Sequence, residues 1–192
     1  MKILLFQLIG LGGPQLYLAQ LAKALSKNND VVVLLGSHLY DEKHYGDCNA
    51  KIILINTTRS YFQMFLKLIN PMTYFSILKQ ISHESPDVIH LVFEDLISGI
   101  LFFLLGFKYK KLIFTEHDPS FHIGDAFIVR LNQYSAKLLA RYAADAIIVH
   151  GNNQKNILLE KGVHPQKIHC MPHGDFSYYA KWIDEITEEK NP

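Results

Sequence analysis

The residues best suited to chemistry are Glu116, His117 and Asp118, which follow an apolar run ending at Thr115. An imidazole between two carboxylates can be held in one orientation and have its pKa tuned for proton transfer near neutral pH. Pro119 disfavours helical geometry at Asp118, so the chain is expected to turn there. The alternative interpretation is a structural histidine held by hydrogen bonds. Because His117 leaves a buried strand, we predict that it points into a cleft as a functional group.

A glycine-rich turn, Gly10-Leu-Gly-Gly13, lies between the first apolar run and a helical pattern. Backbone N–H groups at the start of a helix can face a phosphate or a sugar hydroxyl. The turn lacks the dinucleotide fingerprint, because Gln15 stands where a G-x-G-x-x-G motif starting at Gly10 needs its last glycine. A plain strand-to-helix turn is the competing interpretation. We predict that Gly12 and Gly13 lie beside a ligand.

Polar or small residues also follow three of the other predicted strands. The carboxyl ends of parallel strands meet at one edge of a sheet, where open α/β sheets bind their ligands. The residues concerned are His90 and Glu94 after the fourth strand, His150, Gly151 and Asn152 after the sixth, and His173 and Gly174 after the last. From this set the candidate ligand-binding residues are His90, Glu94, Asn152, His173 and Gly174.

These side chains suggest two other kinds of chemistry, metal catalysis and Ser–His hydrolysis. His90, Glu94, His117 and Asp118 are conceivable metal ligands, but the sequence has no H-E-x-x-H motif, and we predict no catalytic metal. The sequence also has no G-x-S-x-G elbow, which argues against Ser–His hydrolysis.

The elements that must position these residues alternate between short apolar runs and helical periodicity. This alternation predicts an α/β fold with a Rossmann-like, doubly wound, mostly parallel sheet of about seven strands and helices on both faces. The predicted strands are 3–9, 31–35, 51–55, 88–93, 110–115, 145–149 and 167–171. Helical stripes are predicted within 18–25, 59–85 (in two pieces split by Asn70-Pro71), 96–105, 128–142 and 157–161, with Asn152 as an N-cap. A last stripe is formed by Tyr179, Trp182, Ile183 and Ile186.

Composition excludes several classes of protein. With 192 residues, 49% of them hydrophobic and a net charge of +1, the chain is expected to fold as a globular domain with no global attraction for nucleic acid. Cys48 and Cys170 have no metal or redox spacing, which predicts free thiols in a reducing compartment. The longest apolar run, 96–107, falls short of the roughly 20 residues that cross a bilayer. These features predict a cytoplasmic protein.

A cluster of basic and aromatic residues, Phe107-Lys-Tyr-Lys-Lys111, allows a peripheral contact with the inner face of a membrane. Arg59, Lys67, Lys79 and the aromatic segment 61–75 extend this cluster along the sequence. A solvated strand entrance and a core-facing aromatic stripe are the simpler interpretation.

Four motifs together resemble the N-terminal domain of the retaining glycosyltransferases of family 4, which have the GT-B fold, over essentially the whole chain. They are Gly12-Gly13 with the helix end Leu21-Ala-Lys-Ala-Leu25, Pro86-Asp-Val-Ile-His90, Thr115-Glu-His-Asp118, and Lys167-Ile-His-Cys-Met-Pro-His-Gly174. The resemblance implies an acceptor-binding half at residues 1–175. Residues 176–192 would be a terminal helix and the start of a linker to a C-terminal domain that binds the nucleotide sugar.

The resemblance also implies roles for individual residues. Gly12 and Gly13 would approach the donor phosphates or the acceptor, and His117 would contact the transferred sugar. Glu116 or Asp118 would orient His117, and the segment His173-Gly174 would line the floor between the two domains. The implied reaction transfers a sugar from a nucleotide sugar to a glycan or lipid-linked acceptor, retains its configuration and needs no metal. The isolated chain is expected to be inactive.

Alternative functions remain at this stage. They are a non-catalytic acceptor-binding subunit of a two-chain transferase and, with less support, a nucleotide-binding Rossmann enzyme. We also expect an apolar docking patch for the second domain at Tyr178, Tyr179, Trp182 and Ile186, provided that this terminal helix does not pack on its own sheet.

Overall fold

Seven parallel strands form a single sheet in the computed structural model, which describes residues 1–10, 12–57, 66–109, 111–120 and 127–174. Their order is β3-β2-β1-β4-β5-β6-β7, and every described pair is parallel. The strands are β1 (Lys2–Gln7), β2 (Asp30–Gly36), β3 (Ala50–Ile55), β4 (Val88–Leu91), β5 (Leu112–Thr115), β6 (Ala146–Val149) and β7 (Ile168–Cys170). The predicted fold class is confirmed, with a sheet that is wholly parallel.

The sheet buries both of its faces. Side chains of a strand alternate between the two faces, so the continuous apolar run of β1 feeds two separate cores. Leu4 and Phe6 belong to one core, while Ile3 and Leu5 belong to the other. The described helices are α1 (Gly13–Leu25), α2 (Glu42–Tyr45), α3 (Pro71–Glu84), α4 (Leu96–Leu105), α5 (Phe127–Ala143) and α6 (Asn152–Glu160).

Helices cover the two cores in a way that follows from the strand order. Leu18 of α1 packs into the core of Ile3 and Leu5, whereas Phe102 of α4 packs into the core of Leu4 and Phe6. Right-handed crossovers that run outward from β1 in one direction and from β4 in the other place their helices on opposite faces. The order therefore reverses between β1 and β4, and the crevice at the carboxyl ends of these strands is the expected ligand site.

Helix α3 begins at Pro71, as the split at Asn70-Pro71 predicts. The side chain of Asn70 accepts a hydrogen bond from the N–H of Met72 at 2.9 Å and caps the helix. Residues 66–69 are also helical, and the rest of the preceding predicted helix lies outside the described residues.

Helix α5 confirms the predicted helix over 128–142, but its apolar stripe lies on the surface. Leu138 is 54% exposed and Tyr142 is 76% exposed, while Ala136 and Ala140 are fully buried. The cause is close packing on α4, because a Cβ added to Gly99 would lie 2.9 Å from the Cα of Ala136. Only small side chains fit between helices this close, so the larger apolar residues face outward.

The remaining predictions about the chain differ in outcome. No helix in the described ranges is long and apolar enough to cross a membrane. Both cysteines are free thiols, as predicted. The predicted terminal helix, linker and docking patch, with Tyr178, Tyr179, Trp182, Ile183 and Ile186, lie outside the described residues, as do Arg59 and Lys110.

Candidate functional site

Three histidines and one tyrosine meet at the carboxyl edge of the sheet. His117, His150 and His173, which we call the histidine cluster, follow β5, β6 and β7, and Tyr17 lies one helical turn into α1. The ring centre of Tyr17 is 4.9 Å from that of His117, 5.2 Å from that of His150 and 5.3 Å from that of His173. The sheet therefore joins residues that are more than 150 positions apart in the sequence.

Backbone carbonyl groups hold each ring of the histidine cluster. The Nε2 atom of His117 lies 3.0 Å from the carbonyl oxygen of Val92, and the Nδ1 atom of His150 lies 3.2 Å from that of Met171. The Nδ1 atom of His173 lies 3.2 Å from the carbonyl oxygen of Gly174. A carbonyl oxygen only accepts, so each of these nitrogens carries the proton. In a neutral ring the other nitrogen then has the lone pair.

Burial keeps two of these rings neutral near pH 7. Burial, helped by the neighbouring His150 and His173, lowers the pKa of His117 to about 4, and the hydrogen bond to the Val92 carbonyl partly offsets this. Burial also lowers the pKa of His150. For Tyr17, burial raises the pKa of the phenol, and the Thr115 hydroxyl partly offsets this. Tyr17, His117 and His150 are therefore uncharged hydrogen-bonding groups near pH 7.

Gln154 of α6 ties two members of the histidine cluster together. Its side-chain oxygen accepts a hydrogen bond from the N–H of His150 at 2.8 Å, and its nitrogen donates to the carbonyl oxygen of His117 at 2.7 Å. Because both bonds end on the backbone, they fix the separation of the two strand ends and not only the pose of a side chain.

The two carboxylates beside His117 have other partners. Glu116 is fully buried and binds Arg141 of α5 with both oxygens. Asp118 accepts from the N–H and hydroxyl of Ser120 at 3.1 and 3.2 Å. The expectation that Glu116 or Asp118 orients His117 is thus corrected, because the hydrogen bond that holds the ring is to the Val92 carbonyl. Glu116 instead holds the end of β5 against α5 through its ion pair with Arg141.

Lysines support the backbone of the same turn. Lys137 of α5 donates to the carbonyl oxygen of Asp118 at 2.6 Å and lies 3.4 Å from the carboxylate of Glu94. Lys161 donates to the carbonyl oxygen of Pro119. Burial raises the pKa of Glu94 to about 7, although Lys137 lowers it. Glu94 is only 6% exposed, so it belongs to this supporting layer and not to an open binding surface.

His90 lies inside the sheet, in β4, instead of at its edge. Its ring is 4% exposed and its Nε2 atom lies 2.7 Å from the hydroxyl oxygen of Thr115. Burial lowers its pKa to about 3, so it stays neutral. In this conformation His90 supports the floor of the site.

The glycine turn leaves the start of α1 open. Gly12 has a φ of 80° and precedes the helix, and among the described residues no side chain caps the helix and no atom lies within 4 Å of a Cβ added to Gly12 or Gly13. The positive φ favours glycine at position 12, and the uncapped N–H groups carry the positive end of the helix dipole. Tyr17 follows on the same helix, so this open helix start and the histidine cluster share one end of the sheet.

The two other predicted residues lie at the borders of this site. Asn152 is the exposed first residue of α6, and the N-cap position belongs to Gly151, which corrects the predicted cap. Gly174 lies over α1, with its Cβ position 3.7 Å from the side-chain oxygen of Gln20. The segment that carries His173 therefore crosses toward α1.

The sequence matches Glycosyltransferase Family 4 over residues 11–174. The chain belongs to this family. No protein of curated function matches the sequence.

Solved structures with the same fold support the family assignment at the level of architecture. HepE of Anabaena, solved in complex with UDP and glucose, superposes with a TM-score of 0.62 at 18% identity, over 97% of this chain and 50% of its own. The UDP-GlcNAc 2-epimerase of Neisseria meningitidis, bound to UDP-GlcNAc, gives 0.66 at 13% identity, over 98% and 52%. The lipopolysaccharide outer core galactosyltransferase WaaB gives 0.54 at 14% identity, over 88% and 44%. This family member thus spans about half the length of the structures that it matches.

Three site residues of this family member were absent from the sequence-based candidates. His150 follows a predicted strand but is not among the candidate residues, and Tyr17 and Gln154 lie in helices. Tyr17 breaks the apolar pattern of α1 only weakly, so no local signal singles it out. Gln154 lies in the first turn of α6, where a polar side chain close to a strand end is the one available signal.

Proposed function

We propose that this chain is the acceptor-binding part of a glycosyltransferase that moves a sugar from a nucleotide sugar to a glycan or lipid-linked acceptor. Family membership over residues 11–174 supports glycosyl transfer. The observation that carries the proposal is the shared position of the open helix start at Gly12 and the histidine cluster at one end of the sheet. One feature suits a leaving phosphate and the other suits sugar hydroxyl groups.

The chemistry of this proposal divides between two features. Transfer develops negative charge on the leaving diphosphate, which uncapped N–H groups at Gly12 and Gly13 can stabilise. His117 uses its lone-pair nitrogen as a hydrogen-bond acceptor for a hydroxyl of the transferred sugar. As a neutral ring it adds no positive charge that would oppose a cationic sugar transition state. Retention of configuration and independence from metal are parts of the proposal that come from the family resemblance.

A second, donor-binding domain or subunit completes the proposed enzyme. HepE, the epimerase and WaaB are each about twice as long as this chain, and the first two were solved with UDP or a UDP sugar. We expect the chain alone to bind UDP-glucose or GDP-mannose no tighter than about millimolar, or about −4 kcal/mol. Calorimetric titration checks this, and micromolar binding would mean that this half has its own donor site.

Turnover in the complete enzyme tests the role of His117. We expect His117→Ala to lower kcat tenfold or more, about 1.4 kcal/mol of transition-state stabilisation. His169→Ala is the matched control, because His169 is exposed on β7 outside the cluster. If His117→Ala turns over at the wild-type rate, His117 has no catalytic role, and this result would favour a non-catalytic acceptor-binding subunit.

We also propose that the enzyme works at the cytoplasmic face of a membrane. Phe107 is 78% exposed and Phe127 is 79% exposed, and both lie close to the outward apolar stripe of α5. Phe103 packs against both Phe107 and Tyr142, so the exposed Phe107 and the apolar stripe of α5 form one surface. Cosedimentation with anionic phosphatidylglycerol vesicles should decrease in a Phe107→Ser/Tyr142→Ser variant. Equal sedimentation of variant and wild type would count against the contact.

A further inference from the structure

The histidine cluster has the arrangement of a metal site. Each of its three rings offers one nitrogen, and these nitrogens all lie within 4.8 Å of one another. The ring centres of His150 and His173 are 4.5 Å apart, and that of His117 is 5.1 Å from the first and 6.1 Å from the second. No other group of three or more candidate ligands occurs in the described parts of the chain.

The outer hydrogen bonds match what a metal requires of its ligands. A metal-binding histidine usually donates its other ring N–H to a carbonyl or carboxylate oxygen, which fixes the tautomer and aims the lone pair at the metal. Val92, Met171 and Gly174 supply such carbonyl oxygens to the three rings. The lone pairs therefore fall on Nδ1 of His117 and on Nε2 of His150 and His173.

One of these lone pairs has no protein partner. The Nε2 atom of His150 is buried, and among the described residues nothing bonds to it. A buried acceptor without a partner loses its bond to water on folding, which is unfavourable. A coordinated cation would satisfy this atom, whereas simple packing of the rings around Tyr17 leaves it unpaired.

The geometry points to a site for one divalent transition metal of the Zn²⁺ class, held by His117, His150 and His173. Imidazole nitrogens suit Zn²⁺, Ni²⁺ and Cu²⁺, and tetrahedral Zn²⁺ with Zn–N bonds of about 2.0–2.1 Å places its ligands about 3.4 Å apart. Ring nitrogens that lie within 4.8 Å of one another must approach by at most about 1.4 Å to reach this spacing, and His173 is the exposed ring of the three, beyond the end of β7. Three protein ligands leave the fourth position for water.

This site is independent of the proposed function. The proposed glycosyl transfer needs no metal, and binding is measured on the chain without substrate. Because His117 is a ligand, a bound cation and a sugar hydroxyl would compete for the same nitrogen. The cation would therefore bind only while no sugar hydroxyl is bonded to His117.

Calorimetric titration of the untagged, EDTA-treated chain with ZnCl₂ tests the inference. We expect one equivalent to bind with a Kd of about 1 μM or tighter. His173→Ala should weaken binding on the order of a hundredfold or more, and His169→Ala should leave it unchanged. His173 and His169 are both exposed, so both variants should fold.

A second measurement needs no variant. The ring ¹⁵N resonances of His117, His150 and His173 should shift together on addition of one equivalent of Zn²⁺, while the ring resonances of His169 stay in place. Absence of stoichiometric binding, equal loss in His169→Ala, or undiminished binding by His173→Ala would overturn the inference.

Discussion

Replacing Arg141 with methionine should be among the most damaging single changes beneath the site. The carboxylate of Glu116 is fully buried and the Arg141 side chain is 12% exposed. Both carboxylate oxygens bind the guanidinium group, one of them to Nε at 2.8 Å. Without Arg141, the charge of Glu116 would remain buried with no opposite charge bonded to it.

The expected loss follows from that burial. Removing one partner of a buried ion pair costs about 3–5 kcal/mol. This is a large part of the ~5–15 kcal/mol by which a typical domain is stable. The matched control is Lys23→Met, which breaks a pair with Asp47 whose side chains are 51% and 86% exposed. Exposed pairs contribute about 0–1 kcal/mol, so this variant should be close to wild type.

Urea denaturation followed by circular dichroism at pH 7 measures these differences. The double variant Glu116→Leu/Arg141→Met removes both charges and should recover most of the loss, because no charge then stays buried. Since Glu116 directly precedes His117, Arg141→Met should also shift the ring resonances of His117. An Arg141→Met variant within about 1 kcal/mol of wild type, or a double variant as unstable as the single one, would refute the argument.

Three further outcomes are expected. Gln154→Ala should lower the free energy of unfolding in urea by about 1–2 kcal/mol, because two backbone groups lose their partner. Gln154→Glu keeps the acceptor for the N–H of His150 and should lower it less. Equal losses in the two variants would contradict this. Asp95 caps α4 by accepting a hydrogen bond from the N–H of Ser98 at 3.1 Å. Asp95→Ala should therefore lower the free energy of unfolding by about 1–2 kcal/mol, and Asp95→Asn should lower it less. Equal melting temperatures of the two variants would show that the cap is unimportant. Hydrogen bonds from two lysines lower the pKa of Glu84 from 4.5 to about 2, so its stabilisation is complete above pH 4.5 and is lost as the pH falls toward 2. The advantage of wild type over Glu84→Gln, about 1 kcal/mol at neutral pH, should therefore shrink over that range of pH, and a constant difference would show that the ion pairs do not stabilise the fold.

The sequence by itself determined the element order and the class of sheet. Continuous apolar runs such as that of β1 are typical of strands that are buried on both faces, and each one alternates here with helical periodicity. Local signals also placed boundaries well, because their causes are local. Pro71 fixes the start of α3, as the sequence predicts.

The face that a helix buries was not decided by local pattern. The apolar stripe of α5 would be taken for its core-facing side, yet Ala136 and Ala140 are buried instead. This outcome depends on Gly99 in another helix, whose missing side chain allows the close approach. The hydrophobic pattern identifies the apolar residues of a helix, but the shape of the neighbouring helix decides which of them are buried.

For the site, the sequence determined that polar residues collect at the carboxyl ends of the strands, because that follows from parallel connectivity. It did not determine their partners. Glu116 lies next to His117 in the chain, but successive residues of an extended segment point in opposite directions, so Glu116 meets Arg141 below while His117 turns to Tyr17 and the Val92 carbonyl above. The histidine cluster joins three separate strand ends, and only the order and spacing of neighbouring strands bring such distant residues within reach of one ligand.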